Sequence, residues 1–539
     1  MTNLPLLPRL DPDQNSGSPL ATSRWQSSQS VMRALYWTEN DPEADSPILL
    51  GQLHDEKGKR HFMGFDDDRH ITLIAGSRAG KGVGLILPNL LTYKGSVVCI
   101  DPKGENASIT AAWRAEKLGQ KVYVLDPFRA AKVPQKLRLS LNPLEFLDLS
   151  HPELIEDVAA IADAIVVPAG GKDLHWDESA RAFIKGVLLF ILAQAGDNQS
   201  LRSMALLRRY ITVGMENSET NKTSFNHLLN EMYNTDCPFS DAIAAAAATL
   251  ADMGENERGS VLSTARRHTE FLEAFGIQDC LKSGNLDLAS LKQDPKGVTI
   301  YLVLPEWRIA THSRWLRLMV STIIHALERT PRGINPKTGR LFPAVLMVLE
   351  EMAALGRMQA IEKAAGYIAG FGVKLLSVLQ DLNQLKTHYE GTWETFLGNS
   401  GVVLAYGNSD ITTTKYLSSR LGLSELTRIT IQSNQQTGSN QSDLTLGQAL
   451  KAVGDIKDFT LGLGHLGKST SSGTSVSGSE QLHKTDLMTP DEVSRFFSRE
   501  SGAVLALIAG ALPVRLERLA AHSDPFFTER AHKNPFHSK

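Results

Sequence analysis

Short apolar runs closed by charge and glycine punctuate the first part of the chain, and each has the length of a strand rather than a helix. Ile71–Ala75 (ITLIA), Ser96–Asp101 (SVVCID) and Lys121–Leu125 (KVYVL) are such runs. Between them lie a loop over Gly76–Lys81, a helical stretch over Gly82–Leu91 and a second over Ala107–Leu118. Buried strands alternating with helices predict a parallel sheet covered on both faces. The rhythm then changes. From Pro152 to Leu281 the apolar spacing is helical, with no strand pattern, and the alanine run Ala242–Ala248 is a strong helix former. Strand runs return at Val298–Leu304, Ala344–Leu349, Val373–Leu379 and Val402–Ala405, separated by helical spacing. A helix near Thr489–Phe497 and strands over Ala503–Leu507 and Pro513–Leu516 close the pattern.

This reads as an α/β fold with a parallel-rich sheet flanked by helices, interrupted by an all-helical insertion. The expected divisions are a mobile arm and entry segment over 1–45, a first part of the α/β domain over 46–172, the helical insertion over 173–289, and the second part over 290–539. Residues 1–30 are rich in Pro, Ser, Gln and Asn and are expected to form the arm. Residues 432–484 are rich in Ser, Gly, Gln and Thr and are expected to form a flexible loop, because such segments bury too little apolar surface to fold alone.

Composition narrows the function. The 539 residues carry a net charge of −3, which excludes a protein that coats nucleic acid with its whole surface but leaves room for a local basic patch. Three cysteines, Cys99, Cys237 and Cys280, form no C-x-x-C pair, so neither a disulfide framework nor a zinc site is expected. Cys99 lies in an apolar run and reads as a small core residue. Val187–Ala195, Ala242–Ala251 and Val504–Ala511 are too short to span a bilayer, and the N-terminus lacks a basic start and an apolar stretch. A cytoplasmic protein without a span is expected.

Two segments compete as a phosphate-binding loop. Gly462–Ser469 (GLGHLGKS) satisfies G-x-x-x-x-G-K-[ST] at every position, whereas Ala75–Gly82 (AGSRAGKG) lacks the first glycine and the final hydroxyl. Context reverses the ranking. The motif works when a strand delivers a glycine-rich loop onto a helix N-terminus, so that backbone N–H groups and the helix dipole meet the phosphates. Ala75–Gly82 has the strand before it and the apolar helix after it. Gly462–Ser469 is followed by TSSGTSVSG, which forms no helix, and reads as a chance match. The expected nucleotide-binding residues are therefore Gly76, Ser77, Arg78, Ala79, Gly80, Lys81, Gly82 and Val83. Lys81 is placed to reach the β- and γ-phosphates, and Gly82 stands where a Ser or Thr normally binds Mg²⁺. A glycine-rich turn with no ligand is the plainer alternative.

Glu350 and Glu351 follow the run Val345–Leu349 at a strand's C-terminal end, where ligands gather in open α/β sheets. One carboxylate could hold Mg²⁺ (Glu350) and the other polarise the attacking water (Glu351). The same pair would also suit the positive end of a following helix. Gln380 ends the run Val373–Leu379, where it could sense a γ-phosphate or simply start a helix. Asp101, Lys103 and Glu105 (DPKGE) end the second strand and belong near the same edge.

Taken together, SRAGKGVGLILPNLL, GSVVCIDPKGEN, LEEMAALGRM, VLQDLNQLKTHYEG and NSGVVLAYGNSD resemble the TraG-type coupling proteins, the conjugative DNA-transfer ATPases of type IV secretion systems. HWDESARAFIKGVLLFI and ENERGSVLSTARRHTEFL resemble that family's helical domain, and LMTPDEVSRF its C-terminal end; the match runs from about Ser23 to Phe527. The resemblance implies a RecA-like P-loop ATPase that uses ATP and Mg²⁺, assembles as a homo-hexamer, and couples hydrolysis to passage of DNA with a relaxase through the secretion channel. By position it makes Lys81 the P-loop lysine, Glu350 and Glu351 the acidic pair and Gln380 the sensor. It leaves a trans-acting arginine open among Arg258, Arg266, Arg267 and Arg420.

The chain departs from the family pattern in three places. The membrane module that precedes the motor in that family is expected to be absent, Glu350 replaces the usual Asp, and 432–484 lies where the family varies. Recruitment to the inner membrane by partners is the corresponding expectation. An ATP-gated substrate receptor with slow turnover, and a soluble intracellular DNA-translocating ring, are the alternative functions.

Overall fold

The structure, a computed structural model, describes residues 22–38, 46–168, 174–218, 222–284, 286–435 and 474–536. The chain divides into two units. The larger takes in Trp25–Leu421 and the chain from Met488, and the smaller is built on Gly422–Leu487.

In chain order the strands are β1 (Tyr36–Trp37), β2 (Ile48–His54), β3 (Arg60–Phe65), β4 (His70–Ala75), β5 (Val97–Asp101), β6 (Lys121–Leu125), β7 (Met215–Asn217), β8 (Lys222–Ser224), β9 (Val298–Val303), β10 (Val345–Leu349), β11 (Val373–Leu379), β12 (Ser400–Tyr406), β13 (Leu423–Gln435), β14 (Thr474–Asp486), β15 (Ala503–Ile508) and β16 (Val514–Glu517). Among the described residues a 12-stranded sheet has the order β1-β3-β2-β16-β15-β12-β4-β11-β10-β5-β9-β6. From β12 to β6 every neighbouring pair is parallel. From β15 outward to β1 every pair is antiparallel. Every residue of β4, β5, β9, β10, β11 and β12 is buried, which is why these strands read as unbroken apolar runs.

In the antiparallel flank β15 and β16 stand where the sequence placed them, whereas β1, β2 and β3 were not expected. β2 and β3 form a hairpin whose turn is fixed by Asp55, with Oδ1 accepting from the N–H of Lys57 (2.9 Å) and Lys59 (2.8 Å). The arm expected over 1–30 is shorter at its C-terminal end. Ser28–Leu35 is a helix, capped by Ser27 and seated on the core through Val31 and Leu35; residues 1–21 lie outside the described set.

Between β6 and β9 the chain is helical, over Leu154–Ile165, Leu174–Ala195, Met204–Val213, Phe225–Tyr233, Ser240–Asp252, Glu255–Thr269 and Phe275–Cys280. The exception to the expected absence of strand is the short antiparallel pair β7–β8. Three polar contacts tie this region to the long helix Glu306–Arg329. Asp157 accepts from Arg329 at 2.6 and 2.7 Å. Buried Arg317 donates to Ala164 O, Leu355 O and Arg357 O. Asp177 accepts from His268 Nε2 at 2.8 Å, while Arg314 donates to His268 Nδ1 at 3.1 Å. Burial pushes the His268 imidazole down, so the ring stays neutral and serves as donor on one side and acceptor on the other.

In the smaller unit β13 and β14 pair antiparallel over their whole lengths. Residues 432–435 and 474–484, expected within a loop, are thus strand; 436–473 lie outside the described residues, and the competing Gly462–Ser469 motif with them. Among the described residues no helix is long and apolar enough to cross a membrane.

Arg114 fixes the lower end of the sheet. It is fully buried without a carboxylate partner. Nη1 donates to Leu90 O (2.6 Å) and Tyr93 O (3.0 Å), Nη2 to Gly95 O (2.9 Å) and Nε to Thr299 Oγ1 (2.6 Å). Arg114→Leu strips these acceptors of their donor. It is expected to lower unfolding stability by about 3 kcal/mol, since each orphaned buried acceptor costs about 1–3 kcal/mol and the relief of burying a cation offsets part of the sum. The urea midpoint at unchanged slope measures it.

Candidate active site

Because β12, β4, β11, β10, β5 and β9 are parallel, their C-terminal ends share one edge of the sheet. The expected site residues collect there. Gly76–Val83 leaves β4, Asp101 ends β5, Glu350 and Glu351 follow β10, and Gln380 follows β11. The order β4-β11-β10 puts the Gln380 strand between the loop strand and the acidic strand.

The loop is held by its neighbours. Gly76 N–H donates to Tyr406 O at 3.3 Å, and a Cβ on Gly76 would stand 2.0 Å from Gly407 O, so this position requires glycine. Gly80 has φ 87°, and Arg78 adopts φ 56° despite its side chain. Ser77 and Arg78 are exposed, Ala79 is buried, and Gly80 to Val83 are half-buried. After the loop, Gly82–Ile86 winds as a wide π turn, with Leu87 N–H bonded to Gly82 O, before the α-helix Leu87–Thr92. The wide turn accommodates Pro88, which has no N–H for Gly84 O. Asn89, wholly buried, docks this helix on β2 by accepting from Leu49 N–H (2.8 Å) and donating to Leu49 O (3.0 Å). A Cβ on Gly82 would meet open space, so a side chain there is sterically allowed.

Sequence reasoning missed Arg518, just beyond β16. Its Nη1 donates to Ala79 O at 2.6 Å and its Nη2 to Arg499 O at 2.9 Å. Its stem fills the space beside Gly84, where a Cβ would stand 2.8 Å from Cγ. The C-terminal strands therefore clamp the loop backbone from behind.

The acidic side is polar and half-enclosed. Asn106 Nδ2, also missed although it stands in DPKGEN, donates to Glu350 Oε2 at 2.7 Å. Burial and the neighbouring Asp101 charge push the Glu350 carboxyl up to about 8, partly offset by the Asn106 hydrogen bond and the Lys81 and Lys103 charges. Asp101 is pushed up to about 6 by burial, against the N–H groups of Ala107 and Lys103 that it caps. Glu351 stands at φ 56°, ψ 45°, a left-handed conformation that costs a glutamate about 1–3 kcal/mol and marks functional turns. Gln380 Nε2 donates to Glu351 Oε1 at 3.0 Å, while Asn408 Nδ2 donates to Gln380 O at 3.1 Å. Glu351 and Arg78 are two of the four non-glycine residues at positive φ among the described residues, and both lie on this edge.

The fit to a magnesium nucleotide is good on these grounds. The loop is a backbone cradle with Lys81 at its helix start, and the crowded, buried Glu350 and Asp101 carboxyls would suit a bound cation. Of the four open arginines, Arg266 is spent on Ile211 O and Thr212 O and Arg267 on Asp177, whereas the Arg420 guanidinium meets, among the described residues, only Tyr416 of its own helix. The Arg258 backbone N–H bonds Gly254 O, and its guanidinium has no hydrogen bond or ion pair among the described residues.

Residues 18–449 match the family model described as type IV secretory system conjugative DNA transfer. The chain is 26% identical over 506 residues to the conjugal transfer protein TraG of Escherichia coli, covering 91% of this chain and 73% of that protein. It is 25% identical over 418 residues to protein VirD4 of Agrobacterium fabrum, covering 74% of this chain and 56% of VirD4. Among solved structures, plasmid coupling protein TrwB in complex with a non-hydrolysable ATP analogue superposes with a TM-score of 0.60 at 15% identity over 93% of this chain and 95% of that one. TrwB with ADP and Mg²⁺ gives 0.59 at 15% identity, over 93% and 95%. The mixed, mostly parallel sheet with its helical region is the NTPase fold of TrwB.

Proposed function

The chain belongs to the type IV secretory system conjugative DNA transfer family as a coupling protein, and from that premise we propose that it hydrolyses ATP to drive DNA, with its relaxase, toward the secretion channel. The observation that carries the ATPase reading is the strand order β4-β11-β10, which sets Lys81, Gln380 and the Glu350–Glu351 pair on one edge.

In this reading the N–H groups of Gly76–Val83 bind the phosphates and Lys81 sets its charge on the β- and γ-phosphates. Glu350, held by Asn106, would hold Mg²⁺, which when bound neutralises charge on the phosphates. Gly82 brings no hydroxyl to the cation, so a water would have to take that ligand position. Glu351 takes the proton of the attacking water, with its carboxylate aimed by Gln380. Gln380, hydrogen-bonded to Glu351 and standing one strand from the P-loop, carries the state of the γ-phosphate to the base. A homo-hexamer places an arginine of one copy at the next copy's site, and Arg420 and Arg258 are the two whose guanidinium groups bind neither a carboxylate nor a backbone carbonyl among the described residues. The segment 173–289 is the region we assign to meeting the relaxase, with recruitment to the inner membrane through partners.

The test is ATP turnover with and without single- and double-stranded DNA, alongside oligomer mass. Turnover is expected to rise with DNA. DNA affinity is expected to fall by at least about 10³-fold between 50 and 200 mM salt, because a chain of net charge −3 binds through local cation clusters that release counterions. Turnover indifferent to DNA would instead favour the slow substrate receptor, the reading that Gly82 and the longer Glu350 arm support. Fractionation of cells with and without the secretion apparatus tests recruitment.

A further inference from the structure

The two most exposed large apolar side chains among the described residues are Phe275 (85%) and Trp307 (74%), and each stands at the start of a helix that touches the turn at Pro127 and Phe128. Trp307 opens the helix that leaves the C-terminal end of β9. Its neighbour Arg308 lies over the ring of Phe128 at 5.3 Å, and His312 meets the same ring edge-on at 5.0 Å. Phe275 starts the helix Phe275–Cys280, whose Gly276 presses so closely on Pro127 that a Cβ would stand 1.9 Å from Pro127 O. The turn at Pro127 and Phe128 thus touches the starts of both helices that carry the exposed rings.

The turn that presents Phe128 is built, not loose. Asp126 accepts from Ala130 N–H and Ala131 N–H, each at 2.9 Å, and Arg129 takes φ 53°. Cations lie beside this turn, with the Glu306 and Asp279 carboxylates near them. Among the described residues Arg308 and Arg129 have no carboxylate within ion-pair distance, while Lys103 is paired with Glu306 at a loose 3.8 Å. His312 is pushed down by burial and by Arg308, so it adds an aromatic face rather than a charge. The surface is also joined to the acidic pair: Lys103 lies on the loop Asp101–Asn106, whose Asn106 holds Glu350, and Glu306 N–H donates to Pro102 O at 3.1 Å.

We propose that Trp307, Phe275 and Phe128, with Arg308 and Arg129, form a stacking platform for unpaired bases of single-stranded DNA. Exposed aromatic faces beside unpaired guanidinium groups suit bases and phosphates together, and duplex DNA presents no free base faces to them. The proposal rests on the DNA-transfer reading and adds to it the place of contact. A strand held here would sense the nucleotide edge through the 101–106 loop.

The experiment measures binding of a short labelled single strand and of the matching duplex to the full chain, at fixed salt, by fluorescence anisotropy. The double variant W307A/F275A is expected to bind the single strand about 10–100-fold more weakly, with duplex affinity, ATP affinity and oligomer mass unchanged. W307F/F275Y, which keeps the faces, is expected to restore single-strand binding. Unchanged single-strand affinity in W307A/F275A overturns the proposal. So does a fall in oligomer mass, which would make the surface a contact between copies of the chain. A wild-type chain that binds neither form of DNA would overturn the DNA-transfer reading itself.

Discussion

Lys81→Ala is expected to cut ATP turnover by at least about 10²–10³-fold, the scale of losing one charged donor aimed at a transferring group. The lysine stands at the first turn of the helix after β4, on the edge shared with the acidic pair, and its charge already acts on Glu350. Loop backbone alone can still bind phosphates, so affinity should fall less than rate. Lys468→Ala is the contrasting variant. Its motif is the better match by letters, yet TSSGTSVSG after it offers no helix start, so nucleotide affinity and turnover should match the wild type. Isothermal titration with a non-hydrolysable analogue and phosphate release together separate the two variants. Loss of nucleotide binding in Lys468→Ala, with Lys81→Ala unimpaired, would reverse the choice of loop.

What could be read from the sequence follows from burial. Strands covered on both faces leave an unbroken apolar signature, so β4, β5, β9, β10, β11 and β12 stand within a residue or two of their expected ends. The outer end of the antiparallel flank, β1 to β3, is partly polar and short, unlike the buried β15. β1 has 2 residues, and the β2–β3 hairpin turns on Asp55 and Gly58 amid charge, so no run announced it. The acidic pair and Gln380 were visible because they end apolar runs. Their partners were not, since no local pattern records that Asn106 meets Glu350 across 244 positions or that Arg518 meets Ala79 across 439. The positive φ of Glu351 and Arg78 left no trace either, because glycine, the usual signal of that conformation, is absent from both positions.

The adjacent glutamates should separate cleanly when each is made neutral. Glu351→Gln keeps an oxygen for the Gln380 donor and so keeps the left-handed turn, but it accepts no proton. Turnover is expected to fall by about 10²–10⁴-fold with ATP still bound. Glu350→Gln acts on the cation instead. The Glu350 carboxyl is raised from 4.5 to about 8, so the folded protein holds a proton there that the unfolded chain releases. This carboxyl's contribution to stability is therefore full below the ordinary carboxylate range and is lost as pH climbs toward about 8. Glu350→Gln removes that decline, and the variant should melt higher than wild type at pH 8 without metal. A divalent cation drives the same proton off, so Mg²⁺ with nucleotide should stabilise wild type and Glu351→Gln but add little to Glu350→Gln. Melting temperatures across pH, with and without Mg²⁺, read the first role, and single-turnover phosphate release reads the second. If Glu350→Gln instead traps ATP while Glu351→Gln turns over normally, the base and the metal ligand must be exchanged, and the Asn106 contact would then orient the base.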